Sequence, residues 1–358
     1  MNDDGRKISR LYGRIFCRPY IKKALVYKSS EFMSGDSTIN TTGEVFCDTF
    51  RIFALPQTTF SMKNTSKLLL LLCCLLTLPA TGTAGKPLRQ SGITRGTVKH
   101  QGIEREYLLY MPDSLPDDAP LVIVLHGYGG DADPDRYGFE AVADANRFAV
   151  CYPRGEKNGA GKRGWNVRYP SQHDMRTDDV AYMRRLARHL QKKYGLSRRN
   201  TFCTGMSNGG DIAYVLAYEC PDVFAAFAPV AGLTFEWAYR ELDAKRPVPI
   251  CEIHGTADKT SMWEGDPEGT GGWGPYIGVE QAVGYWAAVA RCTHVRTEEI
   301  APRNPSNGHR IFLHRYLGGD DGVEVWLYEI EGGKHSWGEK DMDTAAVVWN
   351  FFSKYLTR

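Results

Sequence analysis

The chain has 358 residues, enough for one large domain or two of ordinary size. Its composition is that of a globular protein, and the formal charge of +2 is too small to indicate a nucleic acid or a membrane surface as partner. Most of the nineteen tyrosines and eight tryptophans are expected in the core, but this supply of flat side chains also suits a protein that stacks on planar or ring-shaped ligands.

The N-terminal segment is not expected to belong to the fold. A short basic stretch from Met62 precedes the apolar run 68–78. That run is shorter than the about 20 apolar residues needed to cross a bilayer, but it fits the core of a secretory signal peptide. We therefore predict that residues 1–61 are an over-long gene start, that residues 62–84 are a signal peptide, and that the mature chain begins near Gly85. In the alternative, which the shortness of the run disfavours, the first segment is a cytoplasmic tail and the run is a signal anchor.

Strands and helices are predicted to alternate along the rest of the chain. Residues 94–111 have the alternation of strands and hairpins, and short apolar runs separated by helical patterns follow. The predicted strands lie within 120–127, 147–155, 200–207, 248–255 and 323–333, and the predicted helices within 178–195, 284–292 and 343–356. Continuous apolar runs are typical of strands buried on both faces in parallel sheets. The sequence therefore predicts one α/β domain with a mostly parallel central sheet flanked by helices, and functional residues at the carboxyl ends of its strands.

Five cysteines follow the predicted signal peptide. Cys151, Cys203 and Cys251 lie in strand-like runs and are predicted to be buried free thiols. Cys220 and Cys292 end two helical stretches, and the sequence leaves open whether they form a disulfide. No cysteine or histidine pair has the spacing of a zinc site, and we expect neither a metal nor a cofactor.

Residues suited to nucleophilic catalysis follow the predicted strands. The segment GMSNGG places Ser207 between Gly205 and Gly209, at the junction of a strand and a helix. A serine on such a turn is lifted from the sheet edge, and its neighbours two residues away must be small. Asp258 and His335 follow two later strands. We predict that Ser207 attacks, that His335 takes its proton, and that Asp258 orients the imidazole and stabilises its charged form.

From about residue 94 to the C-terminus, the sequence resembles the α/β-hydrolase esterases of the feruloyl esterase, acetylxylan esterase and polyhydroxybutyrate depolymerase group. The resemblance rests on LHGYGG, GMSNGG, PDVFAAFAPVAG, HGTAD, WN followed by DDV, and GGKHSWG. It implies the α/β-hydrolase fold over residues 90–358, the same three catalytic residues, and an oxyanion hole formed by the backbone N–H groups of Tyr128 and Asn208. The chain departs from the group after Trp337, where members often carry proline and this sequence has Gly338.

Four tryptophans are predicted to contact the substrate. Trp165 lies in a glycine-rich loop, Trp263 and Trp273 lie in the glycine-rich segment 261–276, and Trp337 follows the predicted base. Other polar residues have a structural interpretation. We expect His126 and His254 to bond within their own turns, and Asp178 and Asp179 to cap a helix and charge its first turn.

Together these features predict a serine esterase, secreted or periplasmic, that removes feruloyl or acetyl groups from plant cell-wall polysaccharide. Its expected partners are the ester-substituted polysaccharide or its oligosaccharides, without nucleic acid and, once the signal is removed, without a membrane. One alternative is a depolymerase of polyhydroxybutyrate or another short polyester, and another is an acyltransferase using the same acyl-enzyme. The third is a non-catalytic carbohydrate-binding module on a hydrolase fold, which would have no need of the serine, aspartate, histidine and glycine-rich turn together.

Overall fold

The computed structural model describes residues 91–357. The predicted gene start, signal peptide and mature N-terminus lie outside these residues. No helix within residues 91–357 combines the length and the hydrophobicity needed to cross a membrane.

The main feature of the described chain is a ten-stranded sheet in the order β1-β2-β4-β3-β7-β8-β10-β15-β14-β13. The six strands from β4 to β15 in this order are parallel, and the two outer strands on each side pair antiparallel. A ribbon of β5 and β6 and a small sheet in the order β11-β12-β9 lie apart from it. The strands are β1 (Gly92–His100), β2 (Ile103–Met111), β3 (Ala119–Leu125), β4 (Ala149–Pro153), β5 (Glu156–Lys157), β6 (Arg163–Gly164), β7 (Leu196–Met206), β8 (Ala226–Val230), β9 (Thr234–Phe235), β10 (Ile250–Gly255), β11 (Gly265–Asp266), β12 (Tyr276–Ile277), β13 (His294–Ile300), β14 (Arg310–Leu317) and β15 (Val325–Glu331).

Seven α-helices accompany these strands within residues 91–357. They are α1 (Pro134–Tyr137), α2 (Phe139–Asn146), α3 (Asp179–Tyr194), α4 (Asn208–Glu219), α5 (Glu236–Glu241), α6 (Val279–Val289) and α7 (Thr344–Ser353), with short 3₁₀ turns at Pro170–Gln172, Pro305–Asn307 and Asp320–Gly322. The longest helix, α3, begins and ends at the capping residues predicted from the sequence. Asp178 caps it by accepting from the Ala181 N–H at 2.9 Å, and Gly195 ends it with a left-handed φ of 60°.

Helices cover both faces of the main sheet. Successive side chains of a strand point to opposite faces. In β7, Phe202 stacks on Phe352 of α7 with ring centroids 4.8 Å apart, whereas the next residue back, Thr201, receives a hydrogen bond from Gln191 of α3. On the α3 side, Tyr218 of α4 packs against α6. The parallel strands are therefore buried from both sides, as their continuous apolar runs predict, and the α/β class is confirmed.

The five described cysteines are free thiols. This confirms the prediction for Cys151, Cys203 and Cys251. It also answers the open question about Cys220 and Cys292, which form no disulfide with each other. The Cys220 thiol lies 3.4 Å from the Arg184 guanidinium, and the Cys292 thiol lies 3.5 Å from the Tyr316 carbonyl oxygen.

Candidate active site

Ser207 occupies a sharp turn between β7 and α4. Its backbone has φ 56° and ψ −124°, a region that is unfavourable for every residue except glycine. The Ser207 N–H donates to the Val230 carbonyl at 2.8 Å, which ties the turn to the end of β8. Ser207 is half-buried within an otherwise buried run, so its hydroxyl is presented at the carboxyl edge of the sheet.

Two glycines allow this turn to sit against β3. A Cβ atom at Gly209 would lie 2.1 Å from the Leu125 carbonyl oxygen, and one at Gly205 would lie 2.7 Å from the Leu125 Cβ. Both distances are too short for any side chain. The start of α4 therefore touches the end of β3 through bare backbone, which is the physical reason for the glycines on either side of Ser207.

The glycine-rich turn after β3 lies beside Ser207. A Cβ atom at Gly127 would be 3.8 Å from the Ser207 Oγ. Within residues 91–357, the N–H groups of Tyr128 and Asn208 donate to no protein acceptor. Two unused N–H groups beside a serine are what a developing oxyanion requires, and Asn208 also begins α4, where the helix dipole favours negative charge.

His126 supports this turn from below. Its Nε2 accepts from the Gly155 N–H at 2.9 Å, and its Nδ1 donates to the Gly127 carbonyl at 2.8 Å. One acceptor and one donor nitrogen define a neutral imidazole. Burial lowers the pKa of His126, in agreement with this. His126 is thus structural, as predicted.

The predicted acid and base are in contact. The His335 Nδ1–H donates to the Asp258 Oδ2 at 2.7 Å, while the Asp258 Oδ1 accepts from the N–H groups of Thr260 and Ser261 at 2.7 and 2.8 Å. The Asp258 residue is only 5% exposed. With its Nδ1–H engaged by a carboxylate, a neutral His335 carries its lone pair on Nε2, the atom that accepts a proton in serine hydrolysis.

Backbone hydrogen bonds join the two loops that carry this pair. The Thr256 N–H donates to the Ile330 carbonyl at 3.0 Å, and the Ala257 N–H donates to the Gly333 carbonyl at 2.9 Å. The loops follow β10 and β15, which are neighbours in the sheet. At Gly338 the backbone has φ 86°, which proline cannot adopt, and this explains the departure from the group's pattern.

For two of the four tryptophans, the predicted contact with the substrate is contradicted by burial of the side chain. Trp165 is 0% exposed; its indole N–H donates to the His126 carbonyl at 2.8 Å, and its own backbone exchanges hydrogen bonds with the Asn208 side chain. Trp337 is 3% exposed and packs edge-on against Tyr137. Neither ring has a free face for a ligand. Both instead support the walls of the site.

The other two tryptophans remain partly exposed. Trp273 lies with its ring centroid 5.7 Å from that of Tyr128 and 5.0 Å from that of Tyr169. It therefore borders the turn that holds a candidate oxyanion N–H. Trp263 packs edge-on against His254, at a centroid distance of 6.0 Å. The segment that carries both is pinned by the small sheet, in which β12 pairs with β11 and with β9.

The buried polar groups behind the site make contacts that the sequence did not predict, although a structural role was expected for His254. Asp211, one turn after Ser207, accepts from the Leu233 N–H at 2.7 Å and is hydrogen-bonded to the Tyr169 hydroxyl. Glu252 and His254 are hydrogen-bonded to each other on β10. A glutamate inside the apolar run PICEIHG was the available signal for the second pair. Within residues 91–357, no three histidine, cysteine, aspartate or glutamate side chains are grouped to hold a metal ion.

A mostly parallel sheet with a nucleophile-type turn at its carboxyl edge defines an α/β-hydrolase. Residues 105–248 match the family model described as esterase PHB depolymerase. A putative esterase from Nocardia uniformis subsp. tsuyamanensis is 30% identical over 268 residues, which are 70% of this chain and 76% of that protein. The chain belongs to this family of esterases, which confirms the resemblance seen in the sequence and the assignment to the carboxylic ester hydrolases.

Two further relatives carry names with a substrate. A bifunctional acetylxylan esterase/xylanase from Neocallimastix patriciarum is 26% identical over 72% of this chain and 34% of its own length. Feruloyl esterase B from Thermothelomyces thermophilus is 30% identical over 36% of this chain and 44% of its own length. The chain thus spans about a third of the first protein and less than half of the second.

The strain at Ser207 is measurable with two variants at this position. Ser207→Ala keeps a Cβ at φ 56°, whereas Ser207→Gly removes it. A disfavoured backbone region costs on the order of 1–3 kcal/mol, and glycine's extra freedom in the unfolded chain offsets part of the gain. We expect urea unfolding to show the glycine variant more stable by about 1 kcal/mol. Equal stabilities, or a more stable alanine variant, would contradict the strain.

The buried carboxyl of Asp211 predicts a pH-dependent stability. Burial raises its pKa to about 8. The folded protein therefore keeps a proton there that the unfolded chain releases near pH 4, so stability falls as pH rises through this interval. Asp211→Asn offers the same contacts without the titration. We expect urea unfolding at pH 5 and pH 8.5 to show a smaller loss of stability in the variant; an unchanged loss would show that other groups cause it.

Proposed function

We propose that the protein is an exported serine esterase that removes acetyl or feruloyl groups from plant cell-wall polysaccharide through an acyl-enzyme on Ser207. In this proposal residues 62–84 are the signal peptide and residues 90–358 the catalytic domain. The observation that carries the proposal is the hydrogen bond between Asp258 and His335, at the same sheet edge as the strained serine. The bond holds the imidazole with its basic nitrogen available.

The chemistry follows from these positions. The Ser207 Oγ attacks the ester carbonyl carbon while its proton passes to the His335 Nε2. The carbonyl oxygen becomes an oxyanion, to which Tyr128 and Asn208 donate their free N–H groups. Collapse of this intermediate breaks the bond to the alcohol oxygen, which leaves with the proton from His335. Water repeats the steps on the acyl-enzyme and releases the acid. Asp258 remains ionised throughout and stabilises the imidazolium.

The substrate class is supported by the site's rim and by two relatives. Trp273 offers a partly exposed ring beside Tyr128, and such a ring stacks on a phenolic ring or on a sugar face. The acetylxylan and feruloyl names of the relatives fit these two ligand types. We propose Trp273, and on the acid side Trp263, as substrate contacts.

Depolymerisation of a short polyester is the second candidate. It is favoured by the description of the matching family model. The same Ser207 chemistry cleaves either ester. A polyester chain has neither a phenolic ring nor a sugar face, so it would gain little from stacking on Trp273.

The nucleophile is tested by Ser207→Ala. Loss of the nucleophile costs on the order of 10⁶ in kcat in subtilisin, and we expect a loss of several orders of magnitude here with the fold retained. The matched control is Ser353→Ala on α7, remote from the sheet edge, which should remain active. An organophosphate should label Ser207 in the wild type. Label on another serine would overturn the assignment, and rates on methyl ferulate, acetylated xylan and polyhydroxybutyrate measured side by side would decide the substrate class.

The contact at Trp273 is tested by substrate selectivity. A stacked aromatic pair contributes roughly 0.5–1.5 kcal/mol beyond burial, so Trp273→Ala should lower kcat/KM on methyl ferulate or acetylated xylan by about two- to tenfold. A small activated acetate ester, which needs only the Ser207 machinery, should be hydrolysed as before. Trp273→Phe retains a flat ring and should recover most of the loss. A uniform loss on both substrates would assign Trp273 a purely structural role, and Trp263→Ala is judged by the same comparison.

A further inference from the structure

Strand β10 carries two ionisable side chains where a purely apolar strand is expected. Glu252 and His254 are two residues apart, so they point to the same face of the sheet. Their residues are 0% and 2% exposed. Burying such groups costs several kcal/mol unless they are paired and hydrogen-bonded. A buried pair that lies four and six residues before the proposed acid Asp258, and that is costly to bury, requires a physical explanation.

The hydrogen bonds of His254 define its protonation. Its Nε2 lies 2.8 Å from the Ser261 carbonyl oxygen, which only accepts, so Nε2 carries a proton. Its Nδ1 lies 2.7 Å from the Glu252 Oε1. Because the second contact joins a nitrogen to a carboxyl oxygen, one further proton is shared between the two side chains. The pair therefore has no net charge, but it directs an N–H group away from Glu252.

That N–H group reaches the turn of the proposed acid. Ser261, whose carbonyl accepts from His254, donates its own N–H to the Asp258 Oδ1. The His254 Nε2 also lies 3.6 Å from the Asp258 Oδ2, the oxygen that binds His335. His254 thus holds the turn and directs positive charge density toward the carboxylate.

We propose that His254, held by Glu252, is a positioning residue for Asp258: it fixes the Asp258 turn and partly balances the carboxylate charge that His335 experiences. His254 does not touch the substrate. The inference rests on the proposed function, because it assigns His335 as the base. If so, the basicity of His335 depends on the proton shared by His254 and Glu252, which lie on the other side of Asp258.

Other ionisable groups surround the pair. On α4, Tyr214 and Asp211 are buried near Glu252. On β15, Glu329 is the register partner of His254 and is hydrogen-bonded to His314. Tyr214, Asp211 and Glu329 carry no positive charge in either protonation state, so none of them replaces the positive charge of the shared proton. Burial raises the pKa of Glu252. Burial also opposes charge on His254, but the hydrogen bond and charge of Glu252 outweigh it and raise the pKa of His254. Both directions favour the state in which the pair keeps its shared proton.

His254→Gln tests the proposal, because a glutamine amide can still donate to the Ser261 carbonyl but supplies less positive charge. With less compensation of Asp258, His335 should keep its proton to higher pH. We expect the acidic limb of the kcat/KM profile on a small activated acetate ester to move to higher pH. We expect kcat to fall by about 10- to 100-fold, as small misplacements of catalytic groups do, with KM unchanged.

Two companion variants make the result decisive. In Glu252→Gln the glutamine can still hydrogen-bond to the His254 Nδ1, and the His254 Nε2 keeps its proton. This variant should therefore shift the acidic limb of the kcat/KM profile in the same direction but by less, and it should retain most of kcat. It replaces His254→Gln in the test if that variant does not fold. The matched control is His314→Gln, which removes the partner of Glu329 in the neighbouring histidine–glutamate pair and should leave the profile unchanged. An unmoved limb or a shift to lower pH in the His254 variant, or an equal shift in the control, would overturn the proposal.

A measurement without turnover separates this inference from the proposed function. The imidazole signals of His335 are followed by NMR as a function of pH in the wild type and the variants. A titration displaced to higher pH in His254→Gln supports the inference, and an unchanged titration overturns it. Failure of an organophosphate to label Ser207 would instead overturn the proposed function, whatever the titration shows.

Discussion

The contact between the start of α4 and the end of β3 is the constraint on which the site depends. Gly209 lies so close to the Leu125 carbonyl that even a methyl group is excluded. This contact brings two separate backbone segments, the turn at Tyr128 and the first residue of α4, next to the same serine. The two N–H groups that we propose as oxyanion donors are therefore positioned by sheet and helix packing and not by flexible side chains, so they would need little reorganisation when charge develops. The strained backbone of Ser207 is the local cost of the arrangement.

The buried polar groups behind the site likewise lower the stability of the fold while they fix the geometry of the site. Asp211 and Glu252 are fully buried carboxyl groups, and burial raises the pKa of each. An apolar residue at either position would be cheaper to bury. Each carboxyl, however, fixes a loop that borders the reacting groups: Asp211 holds Tyr169 and Leu233, and Glu252 orients His254 beneath the acid turn. The free energy lost by burying these two carboxyl groups is thus the cost of fixing the loops around the site.

The features that could be predicted from the sequence are those that depend on local patterns, such as the residues that follow each strand. Ser207, Asp258 and His335 each follow a continuous apolar run, and runs of this kind become parallel strands whose carboxyl ends share one edge. The exposure of a tryptophan is not a local property, which is why Trp165 and Trp337 were misassigned. Trp165 is buried because its indole N–H meets a carbonyl 39 residues earlier in the chain, a contact that no periodicity indicates. The two-residue strands of the small sheet were equally hidden, because β11 and β12 lie within glycine-rich sequence whose pairing depends on β9.

The segment between Asp258 and Tyr276 links chemistry to specificity. Its first residues form the turn that presents Asp258, the proposed acid, and its later residues place Trp273 beside Tyr128. Pairing of β12 with β9 fixes the far end, while His254 fixes the near end through the Ser261 carbonyl. Between two fixed ends, the exposed positions other than glycine have room to vary in side chain. Gly265, Gly269, Gly272 and Gly274 do not, because their positive φ disfavours any side chain. A change of substrate preference is therefore easiest in the middle of the segment, where it alters the rim without disturbing the acid, and most damaging at residues 258–261, where binding surface and catalytic geometry share the same backbone.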